Sequence, residues 1–279
     1  DSYLEHTGFN RNNGRGVGIA IIDTGCNIVK ENILLQYNAF KGDNDVYDYK
    51  GHGTAIYEII DSIVPQSKFY IMKGLDDYGD GSMLSIYQCL IRCRDNDNIN
   101  IICMSFSSFR ELSITAKKAL KECIDKGKLI FASIGNDNRN VETYPSSIDG
   151  VYKVGGLNKE LSDKYSTSNF RSDTDFVALG ENIYANNEIR DGTSFANAIV
   201  IGQISEMISD KIIDIKKEIN VGENEIIDIN DFKNYDISRH FKKKYKELNT
   251  AYGSLYKEAE KWVKVVQRMQ LTVSLNYQF

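Results

Sequence analysis

Four short apolar runs, at residues 17–22, 68–72, 99–104 and 129–134, are rich in β-formers and have the length of buried strands. The stretches between them carry a helical period instead. Met83, Tyr87, Leu90 and Ile91 fall on one face of a helix, as do Ala116, Leu120, Cys123 and Ile124, with Gly127 placed to end the second helix. Short strands alternating with helices are the pattern of a parallel α/β sheet. A further helix is expected from residue 194 to about 210, opened by a serine and rich in Ala and Ile.

The 279 residues are enough for one large α/β domain, which we place at residues 1–262. Within it, residues 211–248 turn polar and rich in Lys, Asp and Asn, and read as a surface insertion. At the end, Leu271, Val273, Leu275, Tyr277 and Phe279 alternate with polar residues, so residues 263–279 read as a strand extension with a half-buried face. A hydrophobic share of 42% with 26% charged residues is that of a globular protein with a sizeable core. A net charge of −5 argues against nucleic acid and against an anionic membrane surface as partners. The basic run at 239–246 reads as a solvated helix face. No segment has the length of a membrane span, and the first residues lack the basic and apolar regions of a signal peptide. Five cysteines, an odd count without a CxxC pair, favour a reduced, cytoplasmic protein; the alternative is a secreted form from which a propeptide has been removed.

Three short motifs carry chemistry: Asp23-Thr24-Gly25 after a strand, Gly51-His52-Gly53-Thr54, and Gly192-Thr193-Ser194-Phe195-Ala196. Each alone has an ordinary reading, as a turn, a cap or a helix start. Their joint occurrence in this order is much harder to obtain by accident. A serine hydroxyl needs a base to become a nucleophile at neutral pH, and imidazole has a suitable pKa. The imidazole in turn needs a buried carboxylate to hold its tautomer and stabilise its cation, a role that fits Asp23 at a strand end.

With these motifs the chain resembles a subtilase, a serine protease of the subtilisin family. The resemblance implies a three-layer α/β/α subtilisin-like fold with a mainly parallel central sheet and the site at the carboxyl ends of its strands. It implies Asp23 as the orienting acid, His52 as general base and then acid, and Ser194 as the nucleophile. The strand ending in Gly135-Asn136 is similar to the family segment that supplies the oxyanion hole, which implies Asn136 as a side-chain donor beside the backbone N–H of Ser194. Met104-Ser105-Phe106-Ser107 looks like the substrate-pairing strand, and Tyr144-Pro145 resembles the segment with a cis proline under the specificity pocket. Tyr252-Gly253 with Ala259 resembles the family's closing turn and helix. The similarity runs over about residues 12–262.

The chain also departs from the family pattern. Asn197-Ala198 stands where a proline is usual, Ala55 where a second histidine is usual, and Ser107-Ser108 where a glycine pair is usual; the last change is expected to narrow the first pocket. The segment before Val64-Pro65 leaves no room for the family's tight calcium loop, so that site is expected to be missing, and no cofactor is expected. The cluster Asp43, Asn44, Asp45 and Asp48 reads as a solvated loop, with weak calcium binding as the alternative. Asp76, Asp77 and Asp80 are expected at the outer subsites, Asp137 and Glu142 near the first pocket, and Thr143 near its floor. Carboxylates around one cleft favour Lys or Arg in a peptide or protein substrate.

The reaction expected is endopeptidase cleavage through an acyl-enzyme, with removal of a leader from a precursor as the biological role. Two other readings stay open. One is a catalytically silent subtilase that binds peptides; the other is a peptide ligase using the same acyl-enzyme.

Overall fold

The computed structural model of the protein describes residues 13–218, with side chains up to residue 209. Expectations for residues 219–262 and for the terminal strand at 263–279 lie outside the described residues. Seven strands form one parallel sheet: β1 (Gly18–Asp23), β2 (Ile33–Asn38), β3 (Lys68–Lys73), β4 (Ile101–Met104), β5 (Leu129–Ser133), β6 (Val151–Leu157) and β7 (Phe176–Leu179), in the order β2-β3-β1-β4-β5-β6-β7. Side chains alternate along each strand, so β1 sends Ile19 and Ile21 into one core and Ala20 and Ile22 into the other. Helices α1 (His52–Ile63) and α4 (Thr193–Glu218) cover the first face. Helices α2 (Met83–Asp95) and α3 (Ile114–Asp125) cover the second through Leu90, Cys93, Ala116 and Leu120. Burial on both faces is why the central strands read as unbroken apolar runs. The three-layer α/β/α expectation is met.

The element boundaries differ from the sequence reading. Helix α4 runs to Glu218, past the end expected near residue 210 and into the first residues of the 211–248 segment. Strands β2, β6 and β7 were not foreseen: Gln36 and Asn38 interrupt the apolar run of edge strand β2, Lys153 and the pair Gly155-Gly156 interrupt that of β6, and β7 is a four-residue edge strand. Local signals elsewhere agree with the elements. Ser82 and Ser85 form a reciprocal capping box on α2, Ser113 accepts from Ala116 N–H on α3, and Gly127 turns the chain after α3 at φ +82°. A small hairpin, β8 (Ile183–Ala185) with β9 (Glu188–Arg190), precedes α4. Among the described residues, no helix is long and apolar enough to cross a membrane.

Candidate active site

Parallel strands all present their carboxyl ends to the same edge, so the chain leaves β1, β4 and β5 at one place. Asp23 is the last residue of β1, Ser105 follows β4, and Gly135-Asn136 follow β5. His52 opens α1, and Ser194 lies in the first turn of α4. Glycine at position 53 lets α1 approach β1: a Cβ there would stand 2.3 Å from the Gly25 carbonyl oxygen and 3.1 Å from the Asp23 Cβ.

Asp23 is buried and meets His52 directly, with Oδ1 to Nδ1 at 2.7 Å. The same oxygen accepts from the Thr24 N–H at 2.7 Å, which fixes the carboxylate. Burial works against a charged imidazole. The charge and hydrogen bond of Asp23, helped by Asp48, outweigh burial and hold the His52 pKa above its usual value, while Arg190 pulls the other way. The Phe195 ring lies 5.6 Å from the imidazole centroid and covers one side of it.

Asp48, read from the sequence as part of a solvated acid loop, is turned inward. Its oxygens accept from the Gly51 N–H (2.8 Å), the Thr54 N–H (2.8 Å) and the Thr54 hydroxyl (2.7 Å). The first N–H groups of a helix have no acceptor within it, and Asp48 supplies one just ahead of His52. Burial pushes its carboxyl up, but these hydrogen bonds hold it below the usual range. The exposed Asp45 pairs instead with Lys41 at 2.6 Å.

Ser194 is nearly buried, and its hydroxyl donates to the Ser105 carbonyl at 2.7 Å, so in this state it is not turned toward His52. The Ser105 side chain, expected to face substrate, lies behind the nucleophile. Its hydroxyl donates to the Ser194 carbonyl at 3.1 Å and accepts from the Asn197 amide at 3.1 Å. Asn197 is fully buried, so the polar residue near the family's proline position is part of this packing.

Asn136 is oriented through its carbonyl. Oδ1 accepts from the Thr193 N–H (3.0 Å), the Thr193 hydroxyl (3.0 Å) and the Tyr165 hydroxyl. Burial raises the Tyr165 phenol pKa, which keeps it a donor. With Oδ1 taken, Nδ2 is left to donate, and it lies 3.6 Å from where a Cβ on Gly192 would stand, two residues before Ser194. Asn136→Ala is expected to lower kcat by about 10²–10³ with little change in KM, the loss known for one such donor in a subtilisin, as steady-state kinetics would measure.

A cavity of ≈ 250 Å³ is lined by Ser107, Ser108, Phe109, Asn136, Asp137 and Thr143. It therefore brings Ser107, Asp137 and Thr143 together beside Asn136. The Thr143 hydroxyl is committed to the Ile134 carbonyl at 2.9 Å. Phe106 packs against the second core, and Tyr144–Pro145 is cis. The acids differ in how free they are. Asp77 pairs with Lys73 at 2.8 Å, and Asp76 is occupied by the N–H groups of Tyr78 and Asp80 in its own turn. Asp80 remains exposed, Glu142 is exposed and accepts from the Tyr144 hydroxyl at 3.4 Å, and Asp137 accepts from the Asn169 amide at 3.2 Å. Asn169, which no motif signals, ties the 134–139 segment together through Ile134, Asp137 and Arg139.

Among known proteins, the chain is similar to serine proteases. Over 198 residues the chain is 29% identical to an intracellular serine protease of Paenibacillus polymyxa, a match covering 63% of this chain and 60% of that protein. It is 29% identical over 181 residues to the minor extracellular protease Epr of Bacillus subtilis, covering 61% of this chain and 28% of the relative. The chain thus spans only part of the length of these curated relatives. In fold it is similar to a cold adapted subtilisin-like serine proteinase (TM-score 0.63, 22% identity, 71% of this chain and 77% of that one). It is similar also to a lanthipeptide protease (TM-score 0.64, 22% identity, 72% and 76%). The sequence model of the subtilase family matches residues 14–224, and the chain belongs to that family.

Proposed function

We propose that this protein is a serine endopeptidase in which Asp23, His52, Ser194 and Asn136 carry the chemistry. The observation that carries the reading is the 2.7 Å contact between the buried Asp23 and Nδ1 of His52, beside a serine at a helix N-terminus. With Nδ1 donating to Asp23, Nε2 is the nitrogen left to act as base. When a peptide carbonyl arrives, the Ser194 hydroxyl turns from the Ser105 carbonyl to Nε2, gives up its proton and attacks. Asn136 Nδ2 and the Ser194 N–H stabilise the oxyanion, and the imidazolium returns the proton to the leaving amine. Water then repeats the cycle on the acyl-enzyme. A complete set of these four groups argues against the silent, peptide-binding reading.

The finer reading is a processing protease that cuts a peptide or protein precursor, such as a leader, next to basic residues. The cavity supports it, because its lining of Ser107, Ser108, Asn136, Asp137 and Thr143 around the single ring of Phe109 is mostly polar and holds one carboxylate that a basic side chain could pair with. Asp80, Asp137 and Glu142 supply exposed negative charge that no ion pair among the described residues neutralises. A reducing compartment fits five buried free thiols, among them Cys103, whose pKa burial raises to about 12. Cleavage profiling on a peptide library tests the substrate class. Enrichment of Lys or Arg at or beside the cleaved bond is expected; a preference for large apolar residues there sinks it.

A further inference from the structure

The β8–β9 hairpin lies far from the nucleophilic motifs in role, yet its tip reaches the helix that begins with His52. The tip is the pair Asn186-Asn187, both at positive φ (50° and 60°), as a two-residue hairpin loop requires and as asparagine tolerates. Asn186 makes one bond to α1 and one to the residue that caps it. Its backbone N–H donates to the Glu58 carboxylate at 2.5 Å, and its side-chain Nδ2 donates to the Gly51 carbonyl at 3.1 Å. Gly51 is the residue before His52, and its own N–H is held by Asp48 at 2.8 Å. Glycine is favoured at position 51 by its φ of +74°, and a Cβ there would stand 2.5 Å from Asn186 Nδ2 and push that side chain off the Gly51 carbonyl. The Gly51 carbonyl also accepts from the Ala55 N–H at 3.2 Å, so Asn186 adds a second donor.

We propose that Asn186 is a positioning residue for the general base: by holding the Gly51 carbonyl it fixes the peptide plane from which the His52 side chain springs. Asp48 restrains the peptide before Gly51 through its N–H, and Asn186 restrains the peptide that enters His52 through the Gly51 carbonyl. The imidazole can then meet Asp23 in one orientation. This rests on the assignment of His52 as the base. Three charged groups act on that imidazole: Asp23 from β1, Asp48 from the loop before α1, and Arg190 from β9. Of these, Asp23 acts through a direct bond and depends most on ring orientation.

The test compares Asn186→Gly with Asn187→Gly in the full chain. Both glycines accept positive φ, and both add similar freedom to the unfolded chain, so the pair differs chiefly in the side-chain bond to Gly51. For Asn186→Gly the expected result is a fall in kcat on the order of 10-fold, within the 10²-fold that a 1 Å misplacement can cost, with KM nearly unchanged. The acidic limb of the kcat profile should move to lower pH, because a misaligned ring loses part of the Asp23 interaction that raises its pKa. Asn187→Gly should keep the wild-type kcat and limb. The proposal is overturned if Asn186→Gly keeps both, or if Asn187→Gly shows the same loss. A His52→Ala variant run alongside separates the two levels: wild-type turnover in it defeats the base assignment, whereas an inactive His52→Ala with an unaffected Asn186→Gly defeats only the positioning role.

Discussion

Ser194→Ala is expected to abolish labelling by a fluorophosphonate and to lower kcat by about 10⁶, the scale seen when the nucleophile or base of such a triad is removed. The fold should survive the change. The Ser194 hydroxyl makes one hydrogen bond, to the Ser105 carbonyl, and a bond of that kind contributes about 0.5–1.5 kcal/mol. For a domain of this size the melting temperature should therefore move by only a few degrees, roughly 2–4 °C per kcal/mol. Residual cleavage of about 10³–10⁴ over water should persist, supplied by Asn136, the Ser194 N–H and substrate binding. Persistent labelling of the alanine variant would show that the nucleophile lies elsewhere.

Asp23→Asn is the second large effect, with two separable readouts. An asparagine preserves the shape but offers Nδ1 of His52 the wrong partner, and triads with the wrong tautomer lose about 10⁴ in kcat. The pH profile should change as well. In the wild type the Asp23 charge and hydrogen bond help hold the His52 pKa above its usual value, and the base works only when neutral. Activity should therefore fall as the pH drops through that raised pKa. Removing the Asp23 charge lets burial and Arg190 dominate, so the acidic limb should shift to lower pH while the plateau drops. An unchanged limb in a pH–rate series would mean that Asp23 does not govern the base.

Strands β1, β3, β4 and β5 were legible because burial on both faces makes their sequence almost wholly apolar, as in the fully buried β1, whereas interior β6 carries Lys153 and two glycines and was not. The edge strand β2 was not, since Gln36 and Asn38 cut its apolar run to three residues. The cap on α2 could be read from nearby residues, because capping joins groups three positions apart. Asp48 was misread for the opposite reason. Its sequence company is Asp43, Asn44 and Asp45, and only the fold shows that the open end of α1 takes its two oxygens. The acids near the cleft illustrate the same limit. Sequence counts Asp77 as a free charge, although Lys73 neutralises it across one turn of chain at a strand end.

By itself, the sequence determined the family, the parallel α/β class and the chemical groups proposed for the site. Those depend on residue type and order: a strand-end aspartate, a histidine between glycines, and a serine opening a helix. The tertiary structure alone decided how each group is held and which way it points. It turned the Ser194 hydroxyl to Ser105, 89 positions away in the chain, and set the Asn136 amide through Thr193 and Tyr165. It also brought Asn186 to Gly51, 135 positions apart. Contacts of that span arise only when the packed sheet brings its loops to one edge, so no local pattern announces them.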